Sequence, residues 1–350
     1  MRAYLPNPGR LWELFFPGSV LYLVRHDASY EGSTESTVVA VERDGVPIML
    51  HTHINNHVAR HLIEQGLIPG LENASVIKPE ISIGNSRFDF LLTQSGEDVI
   101  AEIKSCTLVG TRIAMFPDAV TARGTKHLIE LFGLAEQGKK AAVVFLVHWP
   151  KAEYFLPEHH TDLEFARTLL AIKDRVMVKA VSVEWSSALT PGRIHDLVIP
   201  WKVVEQEAHD SGSYIIILHL TRDRKLLING LGKVKFRKGY YLYIGSAKVS
   251  LAKRIARHRR ITKSHHWHID YLRAAADFHV ALPIRASEGL ECDVASAVGE
   301  IADWEVKDFG SSNCSCYTHL FGMSEDPVHS RPFIDLLRYF RIDRLEKYLR

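Results

Sequence analysis

The apolar positions of this chain fall into two blocks of alternating strands and helices, with a polar stretch between them. Residues 19–24 and 37–41 are short β-like runs separated by turns that contain Gly and Ser. Residues 57–65 read as a helix, with Val58, Leu62 and Ile63 on its apolar side. A hairpin over 83–109 follows. Thr121 opens a helix that runs to Gln137 and is ended by Gly138. The unbroken apolar run 141–147 predicts a buried strand, 162–173 a helix and 176–183 a strand. Residues 205–212 hold almost no large apolar side chain and predict a linker. The pattern restarts with strands over 212–218 and 239–247, the second placing Tyr241 and Tyr243 on one face. Residues 222–238 between them predict an extra turn or hairpin. A helix follows with Ser250 as its N-cap, and Leu290, Val294, Val298 and Ile301 mark another. The tail, 330–350, reads as an amphipathic helix or two docked on the second block. The mixture is α/β (α+β).

Composition narrows the class. A chain of 350 residues is long enough for two or three domains with their own cores. With 46% apolar and 24% charged residues it is an ordinary globular composition. The net charge is only +2, so any attraction to nucleic acid has to come from local patches. Cys106, Cys292, Cys314 and Cys316 are too few for a disulfide framework. Cys-x-Cys at 314–316 is tighter than the spacing usual in structural zinc sites, so reduced thiols packed near a helix are expected over zinc held with His319. The first 25 residues carry Arg2, Arg10, Glu13 and Arg25 and do not read as a signal peptide. No uncharged apolar run approaches the roughly 18 residues of a membrane span. A cytoplasmic protein without membrane association is expected.

The first block carries the sharper chemistry. Asp89, Glu102 and Lys104 interrupt strands that are otherwise apolar. Charge is costly to bury without a partner, so such interruptions mark pairing or metal binding. Glu102 and Lys104, two apart on a strand, point the same way, and hairpin pairing brings Asp89 beside them. Two carboxylates suit Mg²⁺ (or Mn²⁺), and a lysine beside them suits metal-assisted phosphodiester cleavage. A solvated ion pair on a surface hairpin is the plainer alternative. On the helix after Thr121, Arg123, Lys126, His127 and Glu130 form one polar stripe, opposite Leu128, Leu131, Phe132 and Ala135. The stripe is either a solvated face or a set of contacts to nucleic-acid phosphates.

Four segments make a resemblance specific. They are Tyr4-Leu5-Pro6-Asn7-Pro8-Gly9-Arg10-Leu11, Gly84-Asn85-Ser86-Arg87-Phe88-Asp89-Phe90-Leu91-Leu92, Glu102-Ile103-Lys104-Ser105, and the block from Phe116 to Leu128. Together they closely resemble the sugar fermentation stimulation protein family, over residues 1–200. The resemblance implies an OB-like β segment over 1–48, short of its first strands, then a PD-(D/E)xK nuclease-like mixed sheet with flanking helices over 49–200. It further implies DNA binding, catalysis by Asp89, Glu102 and Lys104, metal on Asp89 and Glu102, and nucleic-acid contacts from Arg10, Arg123, Lys126 and His127.

The second block holds the clearest local basic patch. Lys253, Arg254, Arg257, Arg259, Arg260 and Lys263 lie within eleven residues without an acid. Such a patch attracts phosphates without sequence preference, although a solvated helix face accounts for it equally. Around it stand Gly-x-Tyr at 212–214, Tyr-Ile-Gly at 243–245, Arg254 and His258, the His-Trp-His-Ile-Asp block at 266–270, Glu291-Cys292, and Phe309 to Cys316 followed by His319. These resemble a GIY-YIG nuclease-like domain, a small α/β domain placed over 213–325 after a linker at 201–212 and before a tail at 326–350. The resemblance implies that Tyr214 and Tyr243 position or deprotonate water, that Arg254 steadies the reacting phosphate, that His258 is a further catalytic residue, and that Glu291 holds a metal. Arg257, Arg259 and Arg260 would contact nucleic acid. The two tyrosine motifs stand further apart here than in typical catalytic members.

The function expected is therefore a DNA-binding protein with metal-dependent endonuclease activity, RNA being the alternative substrate. The rival is a non-catalytic DNA-binding regulator of sugar metabolism genes. Nothing in the pattern specifies an oligomeric state.

Overall fold

The computed structural model describes residues 2–27, 32–84 and 86–349. Asn85, part of one quoted motif, lies outside the described residues. The chain divides into two compact units. One is Met1–Glu158 with Glu164–Glu205 and Leu345–Arg350; the other is His159–Leu163 with Gln206–Arg344.

The first unit begins with β1 (Ala3–Tyr4), β2 (Leu21–Arg25), β3 (Ser36–Arg43) and β4 (Val46–Met49). They form a four-stranded sheet around β3. Helix α1 (Asn55–Glu64) leads into β5 (Ala74–Ile83), β6 (Ser86–Gln94) and β7 (Glu97–Cys106). After them come β8 (Leu108–Val109), β9 (Ile113–Phe116), α2 (Ala122–Glu136), β10 (Lys140–Val147), β11 (Tyr154–Pro157), α3 (Leu163–Ile172), β12 (Met177–Trp185) and β13 (Pro191–Asp196). The main sheet runs β13-β12-β10-β7-β6-β5. Its strands β7, β10 and β12 are parallel, and β5–β7 form an antiparallel meander.

Both faces of this sheet are covered, which explains the unbroken apolar run of β10. Val143, Phe145 and Val147 join the core under α2 with Leu128 and Leu131. Ala142, Val144 and Leu146 join the core under α1 with Ala59, Leu62 and Ile63. Each Val, Leu, Ile or Phe among them stabilises the fold by about 1.5–3 kcal/mol on burial. The β6–β7 hairpin closes through Ser95 and Gly96, both at positive φ (54° and 84°), the conformation of a two-residue turn that matches strand twist.

The second unit contains β14 (Gly212–Leu220), β15 (Arg224–Ile228), β16 (Gly232–Phe236), β17 (Gly239–Ala247), α5 (Leu251–Arg259), α6 (His268–Arg273), β18 (Asp277–Arg285), α7 (Glu291–Ile301), β19 (Trp304–Glu305), β20 (Leu320–Met323) and α8 (Arg331–Arg341), besides α4 (Trp201–Glu207), which bridges the sequence boundary. Its sheet runs β18-β14-β17-β20-β19. The β15–β16 hairpin pairs only with itself, so β14 and β17 keep unbroken register from Gly212↔Ala247 to Leu220↔Gly239. Leu251, Ile269 and Leu272 from α5 and α6 pack with Tyr214, Ile216 and Leu320 on one face. Phe321, the next residue along β20, meets Gly299 of α7 on the other.

Three expectations are corrected. The polar 205–212 stretch does not begin as an irregular linker: α4 runs to Glu207, with Val203, Val204 and Glu207 buried. Ser250 does not cap α5 with its side chain; it sits at φ 54°, and Asp210 caps the helix by accepting from Ala252 N at 3.1 Å. The tail does not stay whole, because residues after Arg344 belong to the first unit, where Tyr154 Oη donates to Leu349 O at 3.1 Å. Among the described residues no helix is long and apolar enough to cross a membrane.

Candidate functional site

Strand β7 builds the first site by alternation. Val99, Ala101 and Ile103 face the α1 core, and Ile100 faces the α2 core. Glu102 and Lys104 therefore lie on the α2 side. The β6–β7 ladder ends at Phe90↔Ala101. One residue further, Asp89 Oδ2 accepts the Ile103 N–H at 2.8 Å, so a side chain takes over the backbone's partner. Asp89 Oδ1 accepts from Asn56 Nδ2 of α1, also at 2.8 Å.

Glu102 is 3% exposed. Its Oε1 is bonded by Lys104 Nζ at 2.5 Å and His127 Nδ1 at 2.6 Å, and its buried Oε2 has no hydrogen-bond partner. Asp89, Glu102, Lys104 and Arg123 line one cleft of about 770 Å³. The two acids are driven apart. Burial, then the charge of Glu102, raise the Asp89 carboxyl above its ordinary value. Burial also acts to raise Glu102, but its bonds to His127 and Lys104 outweigh it and hold that group low.

The basic stripe of α2 is split. Arg123 and Lys126 are exposed, and Lys126 lies 3.7 Å from Glu130. His127 is corrected: at 4% exposure and bonded to Glu102, it faces inward and does not present itself to a phosphate. Helical spacing put it beside Lys126 on a wheel, but the wheel did not show that the stripe's edge turns into the core. Arg10 is likewise committed to the protein, donating from Nε to Asp118 O at 2.5 Å and stacking over Trp12. Gly9 permits this approach, since a Cβ there would fall 2.2 Å from Asp118 Oδ2. Glu80 also lines the cleft, 3.6 Å from Arg87. Asn56 and Asp118 were not singled out in the sequence. Asn56 lies 33 residues from the acid it holds, and nothing local links them.

The second unit gathers Tyr214, Tyr243, His258, Arg254 and Glu291. Tyr214 faces Gly245 across the β14–β17 ladder, which makes Tyr243 its diagonal neighbour; the two rings are 6.4 Å apart. A Cβ on Gly245 would sit 2.4 Å from the Tyr214 hydroxyl, which accounts for glycine after Tyr243-Ile244. Tyr214 Oη lies 3.0 Å from His258 Nε2. Burial pushes both tyrosines far above their ordinary value, with neighbouring charges, Glu291 among them, adding to it. Burial lowers His258. Arg254 stacks on Trp267. Glu291 accepts from the Ser246 hydroxyl, and its Oε1 lies 3.2 Å from His319 Nδ1.

The patch around Lys253 is less open than its charge suggested. Arg257 and Lys263 both bond Asp270, whose side chain is fully buried, and Arg257 also stacks on Trp267. Arg257 is thus occupied in holding the fold. Arg259 lies over Phe278, and Arg260 is exposed.

Comparison with known proteins follows these divisions. Residues 1–50 match the SfsA N-terminal OB domain, and residues 53–188 match the sugar fermentation stimulation protein RE domain. A sugar fermentation stimulation protein homolog from Methanothermobacter thermautotrophicus is 38% identical over 167 residues, 48% of this chain and 69% of the relative. The chain belongs to the sugar fermentation stimulation protein family. A homolog from Pyrobaculum arsenaticum is 37% identical over 186 residues, 53% of this chain and 78% of its own. A solved structure, Pyrococcus furiosus SfsA in complex with Ca²⁺, superposes with a TM-score of 0.53 at 30% identity, covering 57% of this chain and 85% of that one. The two matched family domains lie within residues 1–188. Residues 213–340 match a domain of unknown function, DUF123.

Proposed function

We propose that this member of the family is a metal-dependent phosphodiesterase acting on nucleic acid, DNA before RNA, with the cleft of the first unit as its principal active site. Glu102 carries the proposal. It is a buried carboxylate in a cleft, gripped at one oxygen by His127 and Lys104 and left unpartnered at the other. Such a group is costly to bury unless something positive meets the open oxygen. The donor set of Asp89 and Glu102 fits a hard cation that prefers oxygen, Mg²⁺ or Mn²⁺, and the Ca²⁺ held by the Pyrococcus furiosus relative is of the same class.

Such an ion, when bound, polarises a phosphoryl oxygen and makes water more acidic. The chain's own groups do the rest. Asn56 and the Ile103 amide fix the Asp89 carboxylate, and His127 fixes Glu102. Lys104 brings an ammonium to the cleft, where it neutralises charge on a reacting phosphate. Arg123, exposed at the cleft, meets the backbone of the strand. A Glu-x-Lys strand beside an Asp-bearing strand in a mixed sheet is consistent with the PD-(D/E)xK class. In the second unit, Tyr214, Tyr243, His258, Arg254 and Glu291 favour a GIY-YIG nuclease-like reading of the DUF123 match.

The test is incubation of the full chain with single-stranded, duplex and branched DNA, with RNA alongside, in Mg²⁺ or Mn²⁺. Cleavage is expected and should fall by roughly 10²–10³ in Glu102→Gln, the loss of one preorganised electrostatic partner. Intact strands across all substrates, with binding retained, would leave the non-catalytic regulator as the correct reading. Cleavage that survives Glu102→Gln but not Tyr243→Phe would move the active site to the second unit.

A further inference from the structure

Among the described residues one set of metal-ligating side chains stands outside the cleft. Cys292 lies in the first turn of α7, and Cys314, Cys316 and His319 come from the irregular segment between β19 and β20. One ligand atom from each lies within 4.8 Å of all the others. The three cysteines are free, with no disulfide among them. We propose that Cys292, Cys314, Cys316 and His319 hold one Zn²⁺ ion as a structural Cys₃His site in the second unit.

Three observations converge on this. The first is ligand number and type: three sulfurs and one imidazole are a complete tetrahedral zinc set, with no position left for water. The second is distance. Zn–S and Zn–N bonds of about 2.3 and 2.0 Å put neighbouring ligand atoms about 3.5–3.8 Å apart, and Cys314 Sγ already lies 3.4 Å from His319 Nε2.

The third is orientation. The other ring nitrogen of His319, Nδ1, lies 3.2 Å from Glu291 Oε1, within ion-pair distance but without hydrogen-bond alignment, and the ring is 2% exposed. A carboxylate on the far nitrogen is the usual partner of a zinc-bound histidine, because it fixes the tautomer and makes the ligating nitrogen more basic. Three thiols packed together have no comparable reason to recruit it.

The sequence spacing argued against zinc because Cys314 and Cys316 are separated by one residue. The fold removes that objection by supplying Cys292 from a helix 22 positions upstream. The ion would pin the 306–319 segment to the start of α7, and through His319 it would hold Glu291 in place. Its role is structural and does not depend on whether the chain cleaves DNA.

The experiment is metal analysis of the full chain, purified under reducing conditions without chelators. Roughly one zinc per chain is expected. Replacement with Co²⁺ should give the visible bands of tetrahedral cobalt together with thiolate charge-transfer absorption. A thiol-modifying reagent should release the zinc as three thiols react. Cys314→Ser should lower the zinc content sharply, and Glu291→Gln should keep the stoichiometry but weaken affinity by roughly 10–100-fold. The cobalt spectrum and thiol titration use the unaltered chain, so they stand even where a variant fails to fold. Zinc-free protein that gains neither zinc nor cobalt bands, or that shows a disulfide among these cysteines with reductant present, would overturn the site. So would cobalt bands unchanged in a folded Cys314→Ser, Cys316→Ser double variant.

Discussion

At the scale of single residues, the first unit separates two acids by their surroundings. Glu102 is held low by His127 and Lys104 once burial is outweighed, and Asp89 is held high by burial and by Glu102 itself. A carboxyl raised in the folded state adds stability below its unfolded value, about 3.9. That stability is lost as pH rises through the raised folded value. The metal-free chain should therefore lose stability as pH climbs from about 4 through the Asp89 value. Mg²⁺ or Mn²⁺ should raise the melting temperature more at pH 7 than at pH 5, because protons compete for the same oxygens. Asp89→Asn should abolish that cation-dependent shift and lower metal-free stability by about 1–3 kcal/mol, because both Asp89 oxygens accept from N–H donors and the amide NH₂ would face one of them. Thermal unfolding with and without the ion checks both; a shift equal at the two pH values would contradict the assignment.

Asp270 is the counterpart in the second unit. Its side chain is fully buried and meets Lys263 at 2.6 Å and Arg257 at 3.2 Å. Its carboxyl lies far below the ordinary range, burial being outweighed by His258, whose Nδ1 lies 3.7 Å away, and by bonds to Lys263 and two backbone amides. Asp270→Asn strands the largely buried Lys263 ammonium and should cost about 3–5 kcal/mol in denaturant unfolding. Asp89, Glu102 and Lys104 were legible as odd charges in apolar strands. His127's partner, Asn56 and Asp270's cage were not, because each bond joins side chains far apart in sequence or hidden by burial.

At the scale of elements, periodicity did most of the placing. The run at 141–147 is β10, and the helix opened by Thr121 is α2, which Thr121 Oγ1 caps by accepting from Gly124 N at 3.1 Å. Thr121→Ala should lower stability by about 1 kcal/mol in urea unfolding. It should also weaken cation binding, since α2 carries His127 to Glu102; a variant as stable as the parent would show the cap to be idle. Ser250 shows where local reasoning stops. Ser is a good N-cap by type, but its φ of 54° points the hydroxyl elsewhere, and Asp210, forty residues upstream, does the capping. The wide spacing of the tyrosine motifs shows the converse. The added β15–β16 hairpin emerges beyond Leu220 and leaves the β14–β17 register intact, so sequence distance did not become spatial distance.

For the whole molecule, a net charge of +2 leaves little long-range attraction to a polyanion. The proposed binding to nucleic acid would then rest on a few exposed cations. Arg257 and Lys263 are tied to Asp270, whereas Lys253 and Arg260 are exposed. If the second unit contacts DNA, Lys253→Ala with Arg260→Ala should reduce the slope of log affinity against log salt by roughly two. Arg257→Ala should lower stability instead. Binding titrations at several ionic strengths decide between them, and an unchanged slope in the double variant would remove this helix from the interface.

The sequence alone determined the principal strands and helices of each block, and the unusual acids and lysine of the first, because alternation and local propensity are written residue by residue. Tertiary structure decided which groups meet: Asn56 with Asp89, His127 with Glu102, Cys292 with Cys314, Cys316 and His319. Those meetings depend on strand register, on where a helix face turns inward and on burial. They are properties of packing between segments that no local pattern encodes.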